Sequence, residues 1–361
     1  MKLYRMELYK LCRRKFFRIG AVSAMILLTL YFWFAEVGEE IAVVDRRSYT
    51  GYKAVQVNRE ITREFEGALT DEKIQDILEK YGLPSQTAEN MPGWRDGNYL
   101  SDFVVRYFTN GSWERGITPT ESYSLESSSL GKACADREII PTLAYTKGWS
   151  VFIEILQLGF ILGSILVICT VSPVFAEEDQ VKMLSLILTT EEGVKKSIIA
   201  KYMAAFTATL FIFVGIIGSS LLLCNLVYGV EGFENISNVV LLKNTAAGWE
   251  LNFSEYLGIM IGYGLQAFFL LCCFCLWISA GQKSSFLALI LAGVCWGAPV
   301  LLRMIFWGPA GLLLYATPIF LVMNGTIEDT YTIWIVVLGL SLLMGIGCML
   351  GGIRSYIRPR D

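Results

Sequence analysis

Residues 151–171 read VFIEILQLGFILGSILVICTV, a run in which few side chains besides Glu154 and Gln157 are strongly polar. A hydrocarbon layer is crossed by about 20 helical residues, so this stretch is long enough to span one. Barrel strands would instead alternate over roughly 10 residues, a pattern absent here. Comparable runs occupy Ile19–Ala35, Met203–Tyr228, Tyr256–Ser279, Ser285–Leu302 and Thr332–Ile353. The fold class they predict is an all-α polytopic membrane protein with six transmembrane helices: TM1 at 19–35, TM2 at 151–171, TM3 at 203–228, TM4 at 256–279, TM5 at 285–302 and TM6 at 332–353.

The first run follows Lys2, Arg5, Lys10, Arg13, Arg14, Lys15 and Arg18, opposed only by Glu7. A cleaved signal peptide would end in a small-x-small site, whereas this run ends Phe32-Trp33-Phe34-Ala35-Glu36, so an uncleaved span is expected. A seventh apolar stretch, Phe306–Met323, is interrupted by Gly308, Pro309, Gly311 and Pro318. With six spans the basic N-terminus and the tail bearing Arg354, Arg358 and Arg360 share one side, which the positive-inside rule makes cytoplasmic. Residues 306–323 are therefore expected to be a broken or re-entrant external element, and 354–361 a cytoplasmic tail.

By the same parity the insert at 36–148 is extracytoplasmic, with 19 acidic and 13 basic residues. Trp94, Phe103, Val105, Tyr107, Phe108 and Trp113 are candidates for a small core. Thr70-Asp71-Glu72 predicts a helix start, with a capping hydroxyl and first-turn acids, and Gly82-Leu83-Pro84 predicts its end. Ile74, Ile77, Leu78 and Tyr81 would form its apolar face. Of nine cysteines only Cys134 falls in the insert, leaving it without a disulfide partner there. Cys272, Cys273 and Cys275 sit in an apolar helix without the second ligand pair of a zinc site, and read as small buried side chains.

The chain has no histidine, which removes histidine triads and histidine-containing metalloprotease motifs, and no G-x-x-x-x-G-K-[ST] phosphate loop. Gly345, Gly347, Gly351 and Gly352 in the last run indicate close helix packing. Ion-coupled transport would call for polar groups at mid-membrane, and the spans offer chiefly Gln266 and hydroxyls there, with Glu154 and Arg303 near span ends. A membrane enzyme finds no acid pair isolated by spacing.

The connection after the second run begins Ser172-Pro173-Val174-Phe175-Ala176-Glu177-Glu178-Asp179-Gln180, continues through Leu184, Leu188 and Thr190, and reaches Lys195 and Lys196. Proline and acids suit a helix start. Val181, Leu184, Ile187 and Leu188 recur at helical spacing among polar residues, predicting a short amphipathic helix. This segment resembles the coupling region of ABC-2 type permeases, the membrane subunits of ATP-binding cassette exporters. Phe175 with Glu177 or Glu178 matches the opening, Leu184–Thr190 the leucine-rich stretch and turn, Lys195 or Lys196 the basic position, and Lys201-Tyr202-Met203-Ala204-Ala205 the start of the third helix. The pattern departs from the family at Val181, often glycine, and at Thr190, often proline. Lys2–Arg18 resembles the family's interfacial N-terminal helix.

The resemblance implies an amphipathic cytoplasmic interfacial helix at 1–18, a cytoplasmic coupling region at 172–201 and a mixed extracytoplasmic insert between helices 1 and 2. It implies a non-catalytic chain in the bacterial cell membrane, multi-pass, both termini cytoplasmic. Its partners would be ATP-binding cassette ATPase subunits, a second permease copy or a related permease, and the lipid membrane, with no nucleic acid. ATP and Mg would be bound by the partner ATPase, and no cofactor by this chain. Phe175, Glu177, Glu178, Leu184, Leu188 and Lys195 would be the ATPase-coupling residues. The apolar second and fifth spans favour a hydrophobic or amphipathic passenger, such as a peptide or lipid-like molecule, and members with one such insert resemble those devoted to antimicrobial peptide resistance. The alternative is a membrane-anchored sensor or assembly protein whose insert binds a ligand or partner.

Overall fold

The computed structural model describes residues 2–45, 47–81, 97–108, 124–183, 191–243, 251–305, 313–323 and 331–357. Among the described residues, six helices are long and apolar enough to cross a membrane: Lys15–Val37, Lys147–Gln180, Val194–Val227, Phe253–Gly281, Ser285–Ile305 and Ile335–Ile357. The chain forms two compact units. Met1–Leu28, Leu156–Ser219 and Ile259–Asp361 make the first, Thr29–Ile155 and Ser220–Gly258 the second.

Helix α1 (Lys2–Arg13) and helix α2 (Lys15–Tyr31) are separated at Arg14, and α2 runs on into a π-helical turn at Phe32–Val37. The first span thus begins four residues before Ile19. The π turn carries it past Ala35. Later elements are β1 (Ile41–Val44), β2 (Arg47–Thr50), α3 (Tyr52–Glu64), β3 (Gly67–Ala68), α4 (Asp71–Tyr81), α5 (Tyr99–Phe108), α6 (Ser129–Asp136) and β4 (Thr142–Leu143). They are followed by α7 (Lys147–Val171), α8 (Ala176–Gln180), α9 (Glu191–Val227), α10 (Ser237–Val240), α11 (Phe253–Gly281), α12 (Ser285–Ile305), α13 (Pro318–Val322) and α14 (Tyr331–Ile357).

In the first unit α7, α9 and α11 meet through aromatic rings. Phe160 stacks on Phe213 at 5.2 Å, and Phe268 stands edge-on to both, at 5.7 and 5.3 Å. Gly163 and Gly264 make room for these rings, since a Cβ on either would collide with them. Lipid tails are as apolar as the side chains, so such packing, and not hydrophobic transfer, holds membrane helices together. The glycines of α14 divide by position. Gly351 and Gly352 pack closely against Trp277 and Tyr202, as their sequence pattern predicts, whereas a Cβ at Gly347 would meet open space. Of the interrupted 306–323 stretch, 306–312 lie outside the described residues. The remainder breaks at Thr317, where Pro318 opens the short α13, a position at which an N–H would have no intrahelical acceptor.

The second unit combines helices with two short two-stranded sheets. Strands β1 and β2 pair antiparallel, Ile41 opposite Thr50, and β3 pairs with β4, Gly67 opposite Leu143. Helix α4 begins as its residues dictate: Thr70 Oγ1 accepts the Lys73 N–H at 3.3 Å, and Asp71 and Glu72 occupy the first turn. Ile74 and Ile77 are fully buried and α4 packs on α5, so its apolar face is spent within the insert. Phe103, Val105, Tyr107 and Phe108 on α5 are buried as predicted. Trp94, Trp113 and the Gly82-Leu83-Pro84 stop lie outside the described residues.

Asn58, Tyr99 and Thr146 form one buried hydrogen-bond network here. Asn58 Oδ1 accepts the Tyr99 N–H at 3.1 Å, and Tyr99 Oη donates to the Ala144 carbonyl at 2.8 Å and accepts the Thr146 N–H at 3.1 Å. Burial pushes the Tyr99 phenol up to about 12, which keeps it a donor.

Two glycines test the packing. At Gly148 a Cβ would run into the carbonyl oxygen of Gly229, while at Gly215 it would meet nothing. Gly148→Ala is expected to cost about 1–3 kcal/mol by overpacking. Gly215→Ala should be neutral or gain up to about 1 kcal/mol of helix propensity, and thermal melts in detergent would read both.

Candidate functional site

Helix α7 gives way to a turn at residues 172–175, and α8 begins with Phe175 at its N-cap, a side chain that cannot cap. The orphan N–H groups are satisfied from another helix: Ser279 Oγ, near the end of α11, accepts from Phe175 N at 2.9 Å and from Ala176 N at 3.1 Å. The Phe175 ring is 1% exposed, between Tyr202 of α9 and Tyr356 of α14, at centroid distances of 5.9 and 4.7 Å. Tyr356 Oη donates to Glu178 Oε2 at 2.9 Å.

Beneath these rings Lys201 is 2% exposed, a charge that burial would penalise by several kcal/mol if unpaired. Its Nζ lies 2.7 Å from Glu178 Oε1 and 3.1 Å from Glu7 Oε2. Lys10 Nζ meets the other Glu7 oxygen at 2.9 Å, so two ammonium groups balance two carboxylates. Burial pushes Glu7 up, but the two lysines, Lys201 foremost, outweigh it and hold the carboxyl below its usual range. Alongside, Arg14 pairs with Glu177 and donates Nη1 to the Thr170 carbonyl at 2.9 Å. The arrangement ties α1, α7, α8, α9, α11 and α14 at one locus.

The predicted coupling residues fare differently. Phe175 and Glu178 face inward, engaged by rings and by Lys201, so neither presents an open surface. Glu177 has a side chain 57% exposed, and Lys195 is exposed on α9. Leu184 and Leu188 lie outside the described residues. Helix α8 ends at Gln180, and residues 184–190 of the expected amphipathic helix lie outside the described residues. Lys182 takes a left-handed φ of 57°, and Met183 N bonds to Glu178 O at 2.9 Å while Lys182 N bonds to Asp179 O at 2.9 Å, the closure that usually marks itself with glycine. With lysine at that position the stop leaves no sequence signal. Helix α9 starts at Glu191 and continues unbroken into the third apolar run.

Sequence reasoning missed the roles of Glu7, Arg14, Ser279 and Tyr356. One signal was present: Glu7 is the lone acid in a basic stretch. Elsewhere, the local partner of Glu154 is another acid, Glu36, within hydrogen-bonding reach. Arg303 lies over the Tyr315 ring, 5.5 Å from its centroid. Cys272, Cys273 and Cys275 are fully buried, and no cluster of three metal-binding side chains occurs among the described residues. In the second unit a polar cavity of about 190 Å³ is lined by Glu40, Asp102, Arg106, Lys147 and Glu154.

The six apolar helices make the chain a multi-pass membrane protein. No protein-family model matches it, and no curated protein or solved structure is significantly similar to it.

Lys201→Met leaves Glu178 with no ammonium partner and Glu7 with Lys10 alone, and is expected to cost about 3–5 kcal/mol, read as a lowered melting temperature. The triple variant Glu7→Gln, Glu178→Gln, Lys201→Met should recover most of that loss. Because Glu7 is depressed in the folded state, its contribution is complete above the ordinary carboxylate value of about 4.3 and vanishes as pH falls through its lower folded value. Wild type should therefore lose stability over that acid range more steeply than Glu7→Gln. In the insert, burial pushes the Cys134 thiol up to about 11, so in a chain retaining only this cysteine a maleimide should react at neutral pH only after unfolding.

Proposed function

We propose that this chain is the permease subunit of an ATP-binding cassette exporter, itself non-catalytic and driven by separate ATPase subunits. The observation that carries the reading is the two-sided character of residues 175–183. Their inner side is rooted by Phe175 between Tyr202 and Tyr356, by Ser279 on the backbone, and by Glu178 on Lys201. Their outer side is open, with Val181 62% and Met183 54% exposed beside the accessible Glu177.

A push on such an element is delivered to α9, α11 and α14, because packed units move together. Phe175 and Glu178 then act as anchors, while Glu177, Val181, Met183, Lys195 and the following Leu184 and Leu188 meet the ATPase. On this reading both termini are cytoplasmic, two permeases pair, and a hydrophobic or amphipathic passenger is exported. Co-purification with the candidate ATPase, followed by ATP hydrolysis over a panel of peptides and lipids, tests it. Val181→Asp combined with Met183→Asp should abolish stimulated hydrolysis while leaving the melting temperature unchanged. Failure of any ATPase to form a stable complex with wild type would overturn the assignment.

The polar cavity beside Lys147 and Arg106 favours a second reading, a sensor whose insert binds a small zwitterion. Calorimetric titration of free amino acids onto the full chain, with no ATPase complex formed, would select it.

A further inference from the structure

Two hollows lie one after the other along α2 and α9 of the first unit. The first is a cleft of about 490 Å³ where α1 meets α2, lined by Lys10, Arg13, Arg14, Lys15, Arg18 and Lys201 together with Glu7, Glu177 and Glu178. The three acids are already engaged: Glu7 by Lys10 and Lys201, Glu178 by Lys201, and Glu177 by Arg14. Arg13, Lys15 and Arg18 are exposed and have no carboxylate partner among the described residues. The cleft therefore carries an uncompensated positive charge at the level where the first span starts, Lys15.

The second hollow is a groove of about 240 Å³ lined almost wholly by apolar side chains and glycines, including Ala21 and Leu28 of α2, Gly159 and Leu166 of α7, and Phe211 and Gly215 of α9. It opens on α2 at Phe17, beside Arg18. On α9 it starts seven residues from the cleft, about 11 Å at the helical rise. A free anion has use for the cleft alone. A charged headgroup with an acyl chain fills both.

We infer that the cleft and groove between α1, α2, α7 and α9 together bind one anionic phospholipid, its phosphate held by Arg13, Lys15 and Arg18 and an acyl chain lying in the groove. Basic groups beside a span attract anionic headgroups strongly enough that each cation removed should weaken binding about fivefold. The site is independent of any ATPase, since it needs only the first unit and a bilayer.

The test is reconstitution of the full chain in equimolar phosphatidylglycerol and phosphatidylcholine, extraction in mild detergent, and native mass spectrometry of retained lipid. Wild type is expected to retain phosphatidylglycerol in preference, and Arg13→Gln, Lys15→Gln, Arg18→Gln combined should abolish the preference. Arg13→Lys with Arg18→Lys should preserve it. Gly215→Phe, where a Cβ meets open space, should reduce retention of either lipid without disturbing the fold. Equal retention of both lipids by wild type, or an unchanged preference in the triple glutamine variant, would overturn the inference. Displacement of phosphatidylglycerol by millimolar glycerol phosphate would equally overturn it, by showing a site for a free anion. Should the triple variant not fold, unaltered retention by Gly215→Phe counts against the site in the same way.

Discussion

A lysine ammonium that is 2% exposed and sits just before the apolar part of α9 constrains everything packed around it. Lys201 cannot reach bulk water from there, so carboxylates have to come to it, and they come from distant parts of the chain. Glu7 arrives on α1, fixing that helix against α9, and Glu178 arrives on α8, fixing the exit of α7. Glu178 also accepts from Tyr356, which draws in the last helix. Pairing of this kind offsets the cost of burial more than it adds net stability, and its consequence is specificity of arrangement.

The same locus shows how a helix end is finished without a cap of its own. Phe175 offers no side-chain acceptor, and the hydroxyl of Ser279 takes two of its neighbouring N–H groups. The ring is then free to fill the space between two tyrosines. Tyr202 Oη in turn donates to the Met349 carbonyl at 3.2 Å, and Gly352 leaves the room this approach requires. Rings, hydroxyls and one buried ion network thus join helix ends that the apolar parts of the spans alone would leave free to slide.

Much of the architecture could be read from the chain in sequence order. Apolar length identified the spans, the Thr70-Asp71-Glu72 start identified α4, and the α5 aromatics proved to be core because alternation with polar residues in a short helix allows few other uses. Boundaries were less legible. Helix α9 runs back to Glu191 because polar residues continue a helix once an apolar span has nucleated it. Helix α8 stops at Gln180 because a lysine takes up the left-handed turn that glycine would have announced. Phe175 and Glu178 were singled out from local pattern, yet their inward direction depends on residues of other helices, Lys201, Tyr202, Ser279 and Tyr356.

The sequence by itself determined that this chain crosses a membrane several times, that a folded polar insert separates the first two spans, and that a short acidic element follows the second. Those properties follow from apolar length, net polarity and helix-start chemistry, which are local. Only the tertiary structure decided that Glu7 and Glu178 share one lysine, that Ser279 caps α8, and that Arg13, Lys15 and Arg18 are left uncompensated above an apolar groove. Each of these depends on which helix ends converge, and convergence is set by glycine-sized gaps and ring contacts between helices whose apolar stripes look alike in sequence.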